Sequence, residues 1–186
     1  MDQALAQARA HPGVIELLFE DEVSLYRQPS QACLFHPRGR FQPRMSYTPG
    51  SNTVMRVAGF LNACSGAVHI WDGSKITASK IARCMKEIGQ AYASAETIYV
   101  VMDNWPVHFH EKVEQAIAKD PRIVVLRLPT YAPWLNPIEK LWKLTKQNVV
   151  HAHQKSHDFA KFKQTVRDFI ATRNQQDTLR YVGLIS

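Results

Sequence analysis

Two short apolar runs in this chain each end in an aspartate: "VIELLFED" (residues 14–21) and "TIYVVMD" (residues 97–103). Runs of this length, rich in aliphatic and β-branched side chains, read as strands buried on both faces. A third, "RIVVLRLP", follows at 122–129. Strands of that kind need helices above and below, and the intervening sequence supplies them. "ASKIARCMKEIGQAYASA" places Ile81, Cys84, Met85 and Ile88 on one helical face, and "HFHEKVEQAIAK" is also helical. Before them, "TVMRVAGFLNACSGAVHIWDG" predicts a hairpin turning near Ser65-Gly66.

Residues 2–10 predict a short helix ending at His11-Pro12-Gly13, and "HDFAKFKQTVRDFIATRN" a last one. Between the first two strands, residues 22–52 are irregular, with Pro29, Pro37, Pro43 and Pro49 and the basic stretch "HPRGRFQPR". The order β, loop, ββ, α, β, α, β, α, α predicts an α/β fold: a mixed central sheet of about five strands flanked by helices. A length of 186 residues suits one domain. Cys33, Cys64 and Cys84 are odd in number and far apart, which suggests neither a disulfide framework nor a zinc knuckle. With no apolar run of membrane-spanning length and no signal-peptide core, a reducing cytosol is the expected setting.

A net charge of +7 favours a polyanionic partner, usually nucleic acid. The acids, by contrast, fall in particular places. Asp21 aligns with Leu17 and Phe19 on its strand, and Asp103 with Tyr99 and Val101. Each sits at the carboxyl end of an apolar run, where α/β sheets bind ligands. If the two strands are parallel neighbours, the carboxylates emerge together and repel unless a cation lies between them. Glu20 and Glu22 point to the other face by alternation.

A third acid, Glu139, stands in "TYAPWLNPIEKLWK". Taken alone it completes a capping box, with Asn136 as N-cap and Pro137 in the first turn. Placed beside the strand ends, it would instead be a third metal ligand, kept ionised by the helix N-terminus. Three carboxylates without a well-placed cysteine or histidine favour Mg²⁺ or Mn²⁺.

"LLFEDEVSLY", "VVMDNWPVH" and "LPTYAPWLNPIEKLW" resemble the three motif blocks of the DDE transposases, nearest the bacterial insertion-sequence branch related to mariner. Asp103 and Glu139 are separated by 35 residues, the short spacing of that branch. The resemblance covers residues 14–150 and, more loosely, the last helix. It implies an RNase H-like fold with Asp21, Asp103 and Glu139 as catalytic triad and ligands of two Mg²⁺ or Mn²⁺ ions. It also implies DNA as partner, both transposon ends and target, together with dimerisation and a bacterial, nucleoid-associated setting. The loop at 22–52 becomes a DNA-contacting clamp, giving Arg38, Arg40 and Arg44 a role, although His36 stands where the family often has Trp. Family members carry an N-terminal helix-turn-helix reader. Residues 1–13 are expected to be the remnant of the linker helix, and 14–186 the catalytic domain.

Other residues keep two readings. Lys143 and Lys146 follow Glu139 on one helix face, either meeting phosphates or facing solvent. His151, His153 and His157 offer zinc donors but lack a Glu-bearing motif. His108 and His110 read as helix-start residues or as support for Asp103, and Trp105, Trp134 and Trp142 as packing residues. The alternatives to a transposase are a chemically silent DNA-binding module derived from one, and a general RNase H-like nuclease.

Overall fold

The computed structural model describes residues 1–31, 38–42, 44–50, 52–130 and 132–185. Helix α1 (Asp2–Ala10) leads into strand β1 (Ile15–Tyr26), and a long connection then reaches the hairpin β2 (Val54–Asn62) and β3 (Val68–Gly73). Helix α2 (Ala78–Ala91) precedes β4 (Thr97–Met102), and α3 (Glu111–Ala118) precedes β5 (Ile123–Arg127). Helices α4 (Ile138–Thr145), α5 (Phe159–Ala171) and α6 (Gln175–Val182) complete the chain. The strands form a five-stranded sheet in the order β3-β2-β1-β4-β5. β1 pairs antiparallel with β2 and parallel with β4, so the sheet is mixed, as expected.

Alternation along β1 divides the core in two. Leu17 and Phe19 join a cluster with Leu141, Trp142 and Phe162, under α1, α4, α5 and α6. Leu18 joins Ile81, Met85, Ile88 and Val113 under α2 and α3. Among the described residues, no helix is long and apolar enough to cross a membrane.

Two sequence expectations need correction. β1 does not end at Asp21 but continues through Tyr26, because Val23 and Leu25 keep the alternation going and are buried. The connection between β1 and β2 therefore begins at residue 27 rather than 22 and ends at 53 rather than 52. What does end near Asp21 is the pairing with β4, whose last partners are Phe19 and Val101. Asp21 thus lies beyond the end of the parallel ladder, in register with Asp103 just after β4. The second correction is α6, a helix beyond the last one the sequence predicts. Asn174 caps it by accepting from Asp177 N–H, and Gly183, at φ +81°, ends it. Residues His36 and Cys33 lie outside the described residues.

Candidate active site

Asp21, Asp103 and Glu139 come from β1, the segment after β4, and the first turn of α4, and all three line one cavity of about 330 Å³. Leu128, Ala132 and Asn136 form part of its wall. Their mutual effect is visible in the charges. Burial first, and then the Glu139 carboxylate, push the Asp21 carboxyl up to about 8. Asp103 goes the other way: its hydrogen bond to His108 holds it below the ordinary carboxylate range.

Asp21 and Asp103 each have a side-chain partner: Trp142, which the sequence reads as packing only, and His108, for which support of Asp103 is one of two readings. Trp142 Nε1 donates to Asp21 Oδ2 at 3.0 Å. The indole can lie there because the residue paired with Asp21 across the ladder is Gly59, and any side-chain carbon at 59 would overlap the ring. Trp142 is therefore the packing residue expected, and also an orienting one. Trp134, by contrast, is 76% exposed and not a packing residue.

His108 lies fully buried in a 3₁₀ turn (Pro106–Phe109). Nδ1 is 3.2 Å from Asp103 Oδ1, while Nε2 hydrogen-bonds Glu22 Oε1 at 3.2 Å. Nε2 also lies 3.3 Å from Glu20 Oε2, but no hydrogen bond forms there, leaving Glu20 a charge contact alone. Burial alone would lower the imidazole pKa, yet its contacts with Asp103, Glu20 and Glu22 outweigh that and push it up to about 12. Glu20 and Glu22 do face away from the cavity, as alternation predicts, and an imidazolium stands between them. His110 is the ordinary helix-start residue, accepting from Lys112 N–H.

Asn136 does not cap α4. No side chain caps that helix, and Asn136 Nδ2 instead donates to the Glu20 carbonyl at 2.8 Å. A tertiary partner has taken the amide that local grammar assigned to the helix end. The bond ties the start of α4 to β1 one residue before Asp21, and so aims Glu139 into the cavity. Asn136 Oδ1 is buried and has no protein partner among the described residues.

The basic candidates separate. Lys143 and Lys146 line an adjoining cavity that shares Glu139. Arg38, Arg40 and Arg44 are exposed and line no part of the acidic cavity. Among the described residues, His151, His153 and His157 do not converge on a common point. Glu20, Glu22 and His108 do, with ligand atoms within 4.8 Å of one another.

The family model of the DDE superfamily endonucleases matches residues 16–176, most of the chain and all three acids. The chain belongs to this family. A curated relative of this DDE endonuclease, the insertion element IS630 uncharacterized 39 kDa protein of Shigella sonnei, is 28% identical over 156 residues. That match takes in 84% of this chain and 45% of the relative. Among solved structures, a pre-cleavage Mos1 transpososome superposes with TM-score 0.69 at 11% identity, over 98% of this chain and 56% of that one. The isolated catalytic domain of Mos1 mariner transposase gives 0.63 at 12% identity, over 98% and 82%. The fold is thus the RNase H-like one that the motifs imply. The chain spans about half the length of its curated relative and of the Mos1 chain in that transpososome.

Proposed function

We propose that this chain is the catalytic domain of an insertion-sequence transposase, cutting DNA strands and joining them to a target with divalent metal ions. The observation that carries the reading is the convergence of Asp21, Asp103 and Glu139 on one cavity from three separate elements. Family membership supplies the reaction class.

A hard divalent cation fits this donor set. The oxygen donors are carboxylates, joined by the unpartnered Asn136 Oδ1 in the wall. Without a cation, the repulsion between Asp21 and Glu139 helps to raise Asp21 to about 8. Asp21, Asp103 and Glu139 would hold Mg²⁺ or Mn²⁺, two ions by analogy with other two-metal phosphoryl-transfer sites. Bound there, the metal supplies Lewis acidity to an in-line displacement at phosphorus, by water in cleavage and by a DNA 3′-hydroxyl in transfer.

The protein's share is placement. Trp142 fixes the Asp21 carboxylate, His108 fixes Asp103 and keeps it ionised, and Asn136 fixes the helix that carries Glu139. Pre-oriented ligands of this kind need no rearrangement when charge develops on the phosphate. Action as a dimer on paired transposon ends is part of the proposal, as is DNA contact by Lys143, Lys146 and the Arg38, Arg40 and Arg44 segment.

Plasmid nicking with Mg²⁺ tests the reading, with EDTA as control. Asp103→Asn should lower nicking by at least about 10²-fold while leaving circular dichroism unchanged, since it removes a metal ligand and not packing. Undiminished nicking would remove Asp103 from the reaction. A strand-transfer assay with paired ends separates a transposase from a general nuclease.

A further inference from the structure

Two cavities flank the acidic one and share its walls. One contains Lys143, Lys146 and His151 beside Glu139. The other, about 620 Å³, shares Asp21, Asp103 and Trp105 and is lined on its far side by Arg56 and Lys75. Together they make a trough, acidic at the middle and basic at both ends. The Lys143 end follows from the helix face already described, but the Arg56 end has no counterpart in the motifs.

Arg56 stands on β2 directly across from Ser24 of β1, and its Nη1 donates to Ser24 Oγ at 2.9 Å. That hydroxyl steadies the guanidinium without neutralising it. Lys75 lies in the connection between β3 and α2, on the same cavity wall. Both are exposed, and neither forms an ion pair among the described residues. Glu22, an acid of the same wall, is already engaged by His108. Two unpaired cations beside an acidic centre, in a cleft continuous with it, are complementary to an external anion that spans both regions. A nucleic-acid strand is such an anion: its phosphates recur along its length, so one can occupy the centre while a neighbour reaches the basic end.

We propose that Arg56 and Lys75 form a phosphate subsite, gripping the DNA backbone on the side of the acids opposite Lys143 and Lys146. The choice of DNA as the polyanion rests on the function proposed above; the subsite itself rests on its own geometry. Trp105, which lines both the acidic cavity and this one, marks where the strand passes between them. The backbone is thereby held on both sides of the reacting phosphate, which fixes the direction of the strand through the site.

The test is equilibrium binding of the full 186-residue chain to a fluorescein-labelled DNA duplex, followed by anisotropy over a range of salt concentrations. Arg56→Ala/Lys75→Ala takes two cations away from the phosphates and should flatten the plot of log affinity against log salt by about 1.8. Lys86→Ala/Lys119→Ala removes the same charge from the groove between α2 and α3, and should flatten it by less than half as much. Arg56→Lys should retain the wild-type slope. An unchanged slope in the first doublet, or equal flattening in the two doublets, would overturn the subsite. All four positions are exposed, and circular dichroism verifies the fold of each variant. The assay is independent of catalysis. If the wild type fails to nick DNA while the slopes differ as stated, the subsite stands and the catalytic reading falls.

Discussion

Asp21 and His108 carry their protons under opposite constraints, and both make stability depend on pH. An aspartate in the unfolded chain titrates near 3.8, but Asp21 in the fold is pushed up to about 8, chiefly by burial. Between those limits the folded chain binds the extra proton, so the stability it contributes is full below the lower value and lost as pH rises through the upper one. Glu20, raised to about 7 by burial and by Glu22, acts with the same sign. His108, raised from 6.5 to about 12, continues the decline at higher pH. Asp103, held low, works the other way and loses stability only as pH falls through its folded value. The Tm of the metal-free protein should therefore fall from pH 5 to pH 8. Mg²⁺ should restore more of it at pH 8 than at pH 5, because binding at the acids must displace the Asp21 proton. A Tm that holds or rises over this range, or an equal Mg²⁺ effect at both values, would contradict that account.

At the scale of elements, the site depends on how α4 is seated. Its first turn contains Glu139, its next Trp142, and its entry is tied to β1 by Asn136. Asn136→Ala should cost about 1–3 kcal/mol, because it leaves the buried Glu20 carbonyl without that donor. It should also lower nicking more than an equally destabilising change in α5, such as Val166→Ala. Chemical denaturation measures the first effect and the plasmid assay the second; parity between the two variants in nicking would deny Asn136 a positioning role. The element also shows where sequence reading stops. The motif block places the helix and its glutamate correctly, yet Asn136 bonds a carbonyl far earlier in the chain. For His108 the sequence offers support of Asp103 as one of two readings, but its bond to Glu22 is obscured for the same reason, since Glu22 lies 86 residues away from it. By contrast, the inward face of Leu17, Phe19 and Asp21 is legible from alternation alone. The end of β1 is not, because Glu20, Asp21 and Glu22 look like a break in an apolar run, while buried Val23 and Leu25 carry the strand onward. Helix α6 is hard to see because it is short and has few apolar residues, although its cap and its terminal glycine are both written in the sequence.

For the molecule as a whole, the net charge is +7, and four of its cations, Arg56, Lys75, Lys143 and Lys146, line the cavities that adjoin the acidic one. Binding to duplex DNA of arbitrary sequence should be weak and steeply salt-dependent, losing at least about tenfold in affinity between 50 and 200 mM salt even if only two or three phosphates are engaged. Anisotropy titrations against two unrelated duplexes check this; a marked preference for one would show base reading by this domain alone. The mixed sheet makes the arrangement possible, because its parallel pair brings an early strand beside a late one and stops pairing just before both aspartates. The consequence reaches as far as Gly59. That position has no side chain, yet the gap it leaves seats the indole that holds the Asp21 carboxyl. A mutational scan scored on transposition would mark it alongside the acids, and descent within the lineage should tolerate little variation there.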